Sequence, residues 1–99
     1  MTVSVVTNRK GGTRDSMMAA ARKGKAVFEK HGAERFMLSQ VTTGHEVGQW
    51  AVVIMFANWE AFGKTMQAVS DDPAFLAFVS DMNDVSELVS RRMLTSMDL

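Results

Sequence analysis

The chain is 99 residues long, 46% apolar and 22% charged, with eleven basic side chains balancing eleven acidic ones and no cysteine. A disordered segment needs low hydrophobicity or high net charge, and electrostatic capture of nucleic acid shows as a basic excess, so composition argues against both. The missing cysteines exclude disulfides and thiolate metal sites, and no apolar run approaches the ~18 residues of a membrane-crossing helix.

Val3, Val5 and Val6 form a β-branched run that predicts a first strand over residues 2–9, stopped by Lys10-Gly11-Gly12. This opening segment has neither the basic start nor the long apolar stretch of a secretion signal. The expectation is a cytoplasmic protein forming one domain over residues 1–99, with no membrane and no nucleic-acid partner. Thr13 or Asp15 then caps a helix in which Met17, Ala20, Ala21, Gly24, Val27 and Phe28 recur at three- and four-residue steps. His31 and Gly32 end it, a basic residue at the negative helix end followed by a residue that tolerates a left-handed turn.

Arg35 to Thr43 reads as a second strand, Gly44 to Gly48 as a hairpin loop, and Gln49 to Ala57 as a third strand. The third strand is apolar on both faces, as in the middle of a covered sheet. Asn58 is a good N-cap for a helix carrying Trp59, Phe62, Met66 and Val69, and Asp71-Asp72-Pro73 restarts a helix through Ala74, Phe75, Phe78, Val79 and Met82. Glu87 to Met97 closes the chain as a fourth strand, with Leu88 and Leu94 on one face and Val89, Met93 and Met97 on the other.

The order β-α-β-β-α-α-β predicts an α+β, ferredoxin-like sandwich: a four-stranded antiparallel sheet with helices on one face. Arg35-Phe36-Met37-Leu38-Ser39 and Arg91-Arg92-Met93-Leu94-Thr95 hold equivalent places in its two halves. The helix-free face should be polar in a monomer, yet large apolar groups fall on both faces of the later strands. A second copy covering that face by two-fold symmetry is the expected partner, and zero net charge offers little repulsion to such self-association.

In length and element order the whole chain resembles the dimeric α/β-barrel superfamily. The segments Phe56-Ala57-Asn58-Trp59-Glu60-Ala61-Phe62 and Asp72-Pro73-Ala74-Phe75-Leu76-Ala77-Phe78 carry the resemblance. The group includes antibiotic-biosynthesis monooxygenase-like proteins, haem-degrading monooxygenases, muconolactone isomerases and stress-responsive barrel domains. The resemblance implies a pocket in which Asn8 positions substrate or oxygen and Trp59 shapes the wall. Where haem-degrading members carry a histidine, this chain has Met66-Gln67-Ala68-Val69-Ser70, which removes that route to haem ligation.

Each candidate also has a plainer role. Asn8 fits a strand-end turn and Trp59 a helix-start core position. His31 could serve as acid or base, or simply interact with the helix dipole. Arg35, Arg91 and Arg92 must point to a rim, a cavity or a partner, where an arginine would fork onto a carboxylate or enolate ligand or form an edge salt bridge. His45, in the loop beside Glu46, reads as solvated, and two histidines on separate elements make a poor metal site, so neither metal nor cofactor is expected. Lys10-Gly11-Gly12-Thr13-Arg14 lacks the spacing of a phosphate loop and reads as a linker. The nine methionines suit core and dimer packing, or a soft-walled pocket for an apolar or aromatic small molecule. Two functions follow: a small-molecule enzyme or binder resembling the cofactor-independent monooxygenases, with Asn8, Trp59, His31 and Arg35 at its pocket, or a non-catalytic dimeric or stress-responsive module.

Overall fold

A computed structural model describes all residues from Met1 to Leu99. The elements are β1 (Val3–Lys10), α1 (Arg14–Lys30), β2 (Arg35–Gln40), β3 (Trp50–Phe56), α2 (Trp59–Ser70), α3 (Pro73–Val85) and β4 (Glu87–Thr95). The four strands pair antiparallel in the order β2-β3-β1-β4, and the helices lie on one face. This is the ferredoxin-like α+β arrangement that the element order predicts.

Local chemistry fixes the element ends. Of the two candidate caps for α1, Thr13 is used: its Oγ1 accepts from the Ser16 N–H at 3.1 Å and Ser16 Oγ accepts from the Thr13 N–H at 3.0 Å. This reciprocal box satisfies donors that a helix start leaves orphaned. Asn58 caps α2 by accepting from Ala61 N–H, and Asp72 caps α3 by accepting from Ala74 N–H with Pro73 behind it. Gly32 follows the α1 C-cap at φ +118°, backbone that favours glycine.

Strand pairing explains where the predicted boundaries move. β2 ends at Gln40 rather than Thr43 because the Val41 N–H bonds to Gln49 O and the Gly48 N–H bonds to Val41 O, closing the loop early. β4 ends at Thr95 rather than Met97 because Thr95 pairs with Val3, the first residue of β1, and no strand lies beyond it. The expected face assignment of β4 also changes. Ser90 pairs with Asn8 but Leu88 with Arg9, so Val89 is an extra, bulged residue. The bulge puts Leu88 on the helix side together with Arg91 and Met93, and leaves Leu94 on the open side.

On the helix side of the sheet, Phe36, Val52, Ile54 and Phe56 pack beneath Met17, Ala20, Val27, Phe28, Val69, Phe78 and Met82 in one core. Four phenylalanines, Phe28, Phe36, Phe75 and Phe78, meet edge to face or tilted, with ring centres 5.8–6.1 Å apart. Gly24 lets α1 approach them: a Cβ there would lie 2.5 Å from Phe78 Cε1. β3 alternates, with Trp50, Val52, Ile54 and Phe56 buried under the helices and Ala51, Val53 and Met55 half-buried on the open face. All nine residues of β4 are exposed. No helix is long and apolar enough to cross a membrane.

Candidate functional site

A cavity of about 380 Å³ lies between the helices and their side of the sheet, and 13 of its 17 lining residues are hydrophobic. Val5, Val52, Ile54 and Phe56 form its floor, and Phe62, Met66, Phe75, Phe78, Val79 and Met82 supply most of its roof. Leu88, Arg91 and Met93 line it from β4, the uncovered edge strand, so β4 forms its exposed margin.

The polar lining is Thr7, Arg9, Asn83 and Arg91. Strand register gathers these groups at one end. Thr7 pairs with Arg91, Arg9 is the next same-face residue along β1, and Asn83 stands at the C-terminal end of α3. At the other end Val5 pairs with Ile54 and Met93, giving the cavity an apolar body and a polar head.

Arg9 is only 5% exposed. Its Nε donates to Ser86 Oγ at 2.6 Å, and its Nη2 donates to Asn83 Oδ1 at 2.6 Å and to the carbonyls of Ser86 and Met82 at 3.3 and 3.4 Å. The guanidinium thus meets the negative end of α3, where a cation is favoured. Burial, and then the like charge of Arg91, hold the Arg9 pKa below the usual arginine value, although it stays protonated at neutral pH. Arg91 is tied only through Nε, which donates to Thr7 Oγ1 at 3.3 Å. No ion pair in the molecule uses an arginine, so neither charge has a carboxylate partner. No aspartate, glutamate or histidine lines the cavity. These walls can hold and orient a ligand and stabilise negative charge, but they offer no ordinary proton acceptor.

The four residues singled out from sequence lie elsewhere. Asn8 is buried on the open face, its Nδ2 donating to Gln49 Oε1 at 3.3 Å. Arg35 is exposed at the start of β2, paired with Met55. Trp59 begins α2, 47% exposed, with its ring edge-on to Phe62 at 5.8 Å. His31 caps the end of α1, with Nε2 2.7 Å from Asp72 Oδ2. None of them lines the cavity, and the fold does not bring the four together. Thr7 and Arg9 carry the missed signal. They continue the two-residue period of Val3 and Val5 onto the covered face, while Asn8 between them points away.

The His31–Asp72 contact pins the end of α1 to the α2–α3 joint. The His31 hydrogen bond, the Ala74 N–H and Lys30 together lower the Asp72 pKa from 3.8 to about 2. Thr65 is buried beside it and donates to the His31 carbonyl at 3.1 Å. No group of three or more histidines and carboxylates stands close enough to hold a metal ion.

The chain has the ferredoxin-like α+β fold, which solved structures of other proteins share. SnoaB of Streptomyces nogalater, described as a cofactor-independent oxygenase, superposes with a TM-score of 0.72 at 17% identity, over 99% of this chain and 95% of its own. An uncharacterised NIPSNAP domain protein of Burkholderia xenovorans gives 0.69 at 12% identity, over 98% and 95%. A provisionally named antibiotic biosynthesis monooxygenase of Chloroflexus aurantiacus gives 0.66 at 10%, over 99% and 95%. By sequence the chain belongs to the family described as domain of unknown function DUF6854, which matches residues 3–93. No curated protein matches it.

Proposed function

We propose that this protein binds an apolar or aromatic small molecule in the cavity between its helices and sheet. The observation that carries this reading is the cavity itself, whose size falls within the ~300–1,000 Å³ of ligand pockets and whose few polar groups converge at one end. Leu88 and Met93, 48% and 41% exposed on the cavity side, are large apolar groups that a bound ligand would cover. A cofactor-independent, monooxygenase-like reaction is the enzymatic form of this reading, supported by the fold shared with SnoaB. There the cavity would orient an electron-rich aromatic substrate that supplies electrons to dioxygen itself, while the arginines stabilise the substrate anion.

Calorimetric titration with 2-naphthamide, a neutral two-ring probe, tests the binding site. Saturable binding is expected, weakened at least tenfold in Val5→Phe, whose added ring occupies the cavity floor, with the thermal midpoint retained. Binding of neither 2-naphthamide nor its carboxylate analogue 2-naphthoate, or binding unaffected by Val5→Phe, contradicts the proposal. Oxygen uptake with electron-rich aromatics then separates an enzyme from a non-catalytic binding module.

We propose separately that the protein is a homodimer joined through the open sheet face. Met37, Val53 and Met55 are half-buried there and Leu94 is 49% exposed, with no helix above them. Four strands ~4.8 Å apart and ~7 residues long at ~3.3 Å present roughly 450 Å² of sheet plane, before side-chain relief is added, in the range of a modest two-fold interface. Light scattering should give about twice the 10.9 kDa chain mass, and Leu94→Glu should shift it toward the monomer. A wild-type protein that stays at the chain mass contradicts the assembly.

A further inference from the structure

The polar end of the cavity says more about the ligand than the apolar walls do. Arg9 is buried and fixed by bonds to the end of α3, which use its Nε and Nη2. Arg91 sits beside it, held only through Nε by Thr7, so Nη1 of Arg9 and both Nη groups of Arg91 have no protein acceptor. Two like charges side by side in a largely apolar cavity repel one another, and a neutral ligand would leave that repulsion uncompensated. An anion placed between them removes it and accepts the free N–H groups.

Thr7 Oγ1 and Asn83 Oδ1 already accept from the arginines, so the groups left to meet an anion are chiefly guanidinium N–H donors. A guanidinium fork matches the two oxygens of a carboxylate.

We infer that the cavity ligand is an organic carboxylate, its apolar body lying along Val5, Ile54 and Phe78 and its carboxylate held by Arg91 with Arg9 behind it. This rests on the cavity being a ligand site and names the class of ligand it selects. Arg9 holds the end of α3, whereas Arg91 lies on the exposed edge strand and can be changed without removing a core contact.

The test compares 2-naphthoate, 2-naphthamide and 2-naphthyl phosphate by calorimetry at neutral pH, using wild type, Arg91→Lys and Arg91→Gln. Naphthoate should bind wild type at least tenfold tighter than naphthamide and tighter than the phosphate, in line with a charge-assisted contact. Arg91→Gln should weaken naphthoate far more than naphthamide, bringing the two to within threefold, and Arg91→Lys should restore part of the preference. Equal naphthoate and naphthamide affinity in wild type overturns the carboxylate inference but leaves the cavity reading standing. So does a preference that survives Arg91→Gln, and tighter phosphate binding overturns the choice of carboxylate. Failure of all three probes to bind overturns both readings.

Discussion

Gly24→Ala measures how tightly α1 is seated on the phenylalanine cluster, of which Phe28, Phe75 and Phe78 line the cavity. The added Cβ would stand 2.5 Å from Phe78 Cε1 and 2.7 and 2.8 Å from Phe36 Cζ and Cε2. Neither ring can swing aside freely, because Phe78 meets Phe28 and Phe36 nearly edge-on, at interplanar angles of 85° and 79°. Overpacking of this kind costs about 1–3 kcal/mol, whereas replacing a helical glycine with alanine gains about 1 kcal/mol. Gly63 supplies the control: it lies in α2, exposed, and a Cβ there meets nothing within 4 Å. Gly63→Ala should therefore stabilise by about 1 kcal/mol, and Gly24→Ala should fall below it by about the overpacking cost of 1–3 kcal/mol. Urea unfolding of both variants, with unchanged m-values, reads that gap directly. Equal stabilisation by the two substitutions would refute the close approach of α1 to Phe78 and with it the shape of the cavity roof.

Asp72→Asn keeps a cap at α3 but removes the carboxylate paired with His31. The folded pKa of Asp72 lies near 2 against an ordinary 3.8, so its stabilisation is fully present above about pH 4 and is lost as pH falls toward 2. The variant should show a shallower acid loss of stability between pH 4 and pH 2, measured by urea midpoints; an unchanged slope contradicts the pairing. Trp50→Phe removes the indole N–H that donates to the Gly11 carbonyl at 2.9 Å, in a residue 7% exposed. A loss of about 1–3 kcal/mol is expected in the same assay, and no loss means that this bond does not secure the β1–α1 turn.

Much of the architecture is legible because each element carries its own punctuation. Thr13, Asn58 and Asp72 cap helices and glycines stand at the turns, so the order of elements and the sheet topology follow. The β4 face assignment is not legible, because alternation alone cannot show that Val89 is an extra residue opposite β1. The site is less legible than the fold for a related reason. Asn8 and Trp59 stand out through resemblance to relatives, yet side-chain direction in β1 turns Asn8 to the open face and Thr7 and Arg9 to the covered one. Arg91 is visible in the sequence as an arginine on a strand, but only pairing with Thr7 places it at the cavity. His31, which reads as acid, base or dipole partner, joins Asp72 and is not part of the cavity lining.

The methionines that first mark the composition also provide the most direct test of the central claim. Of the nine in the chain, Met66, Met82 and Met93 line the cavity, while Met37 and Met55 lie on the open sheet face. With ¹³C-methyl-labelled methionine, titration of 2-naphthoate should move the signals of Met66, Met82 and Met93 and leave those of Met37 and Met55 in place. Shifts confined to Met37 and Met55, or no shifts at any methionine, would contradict a ligand site between the helices and the sheet.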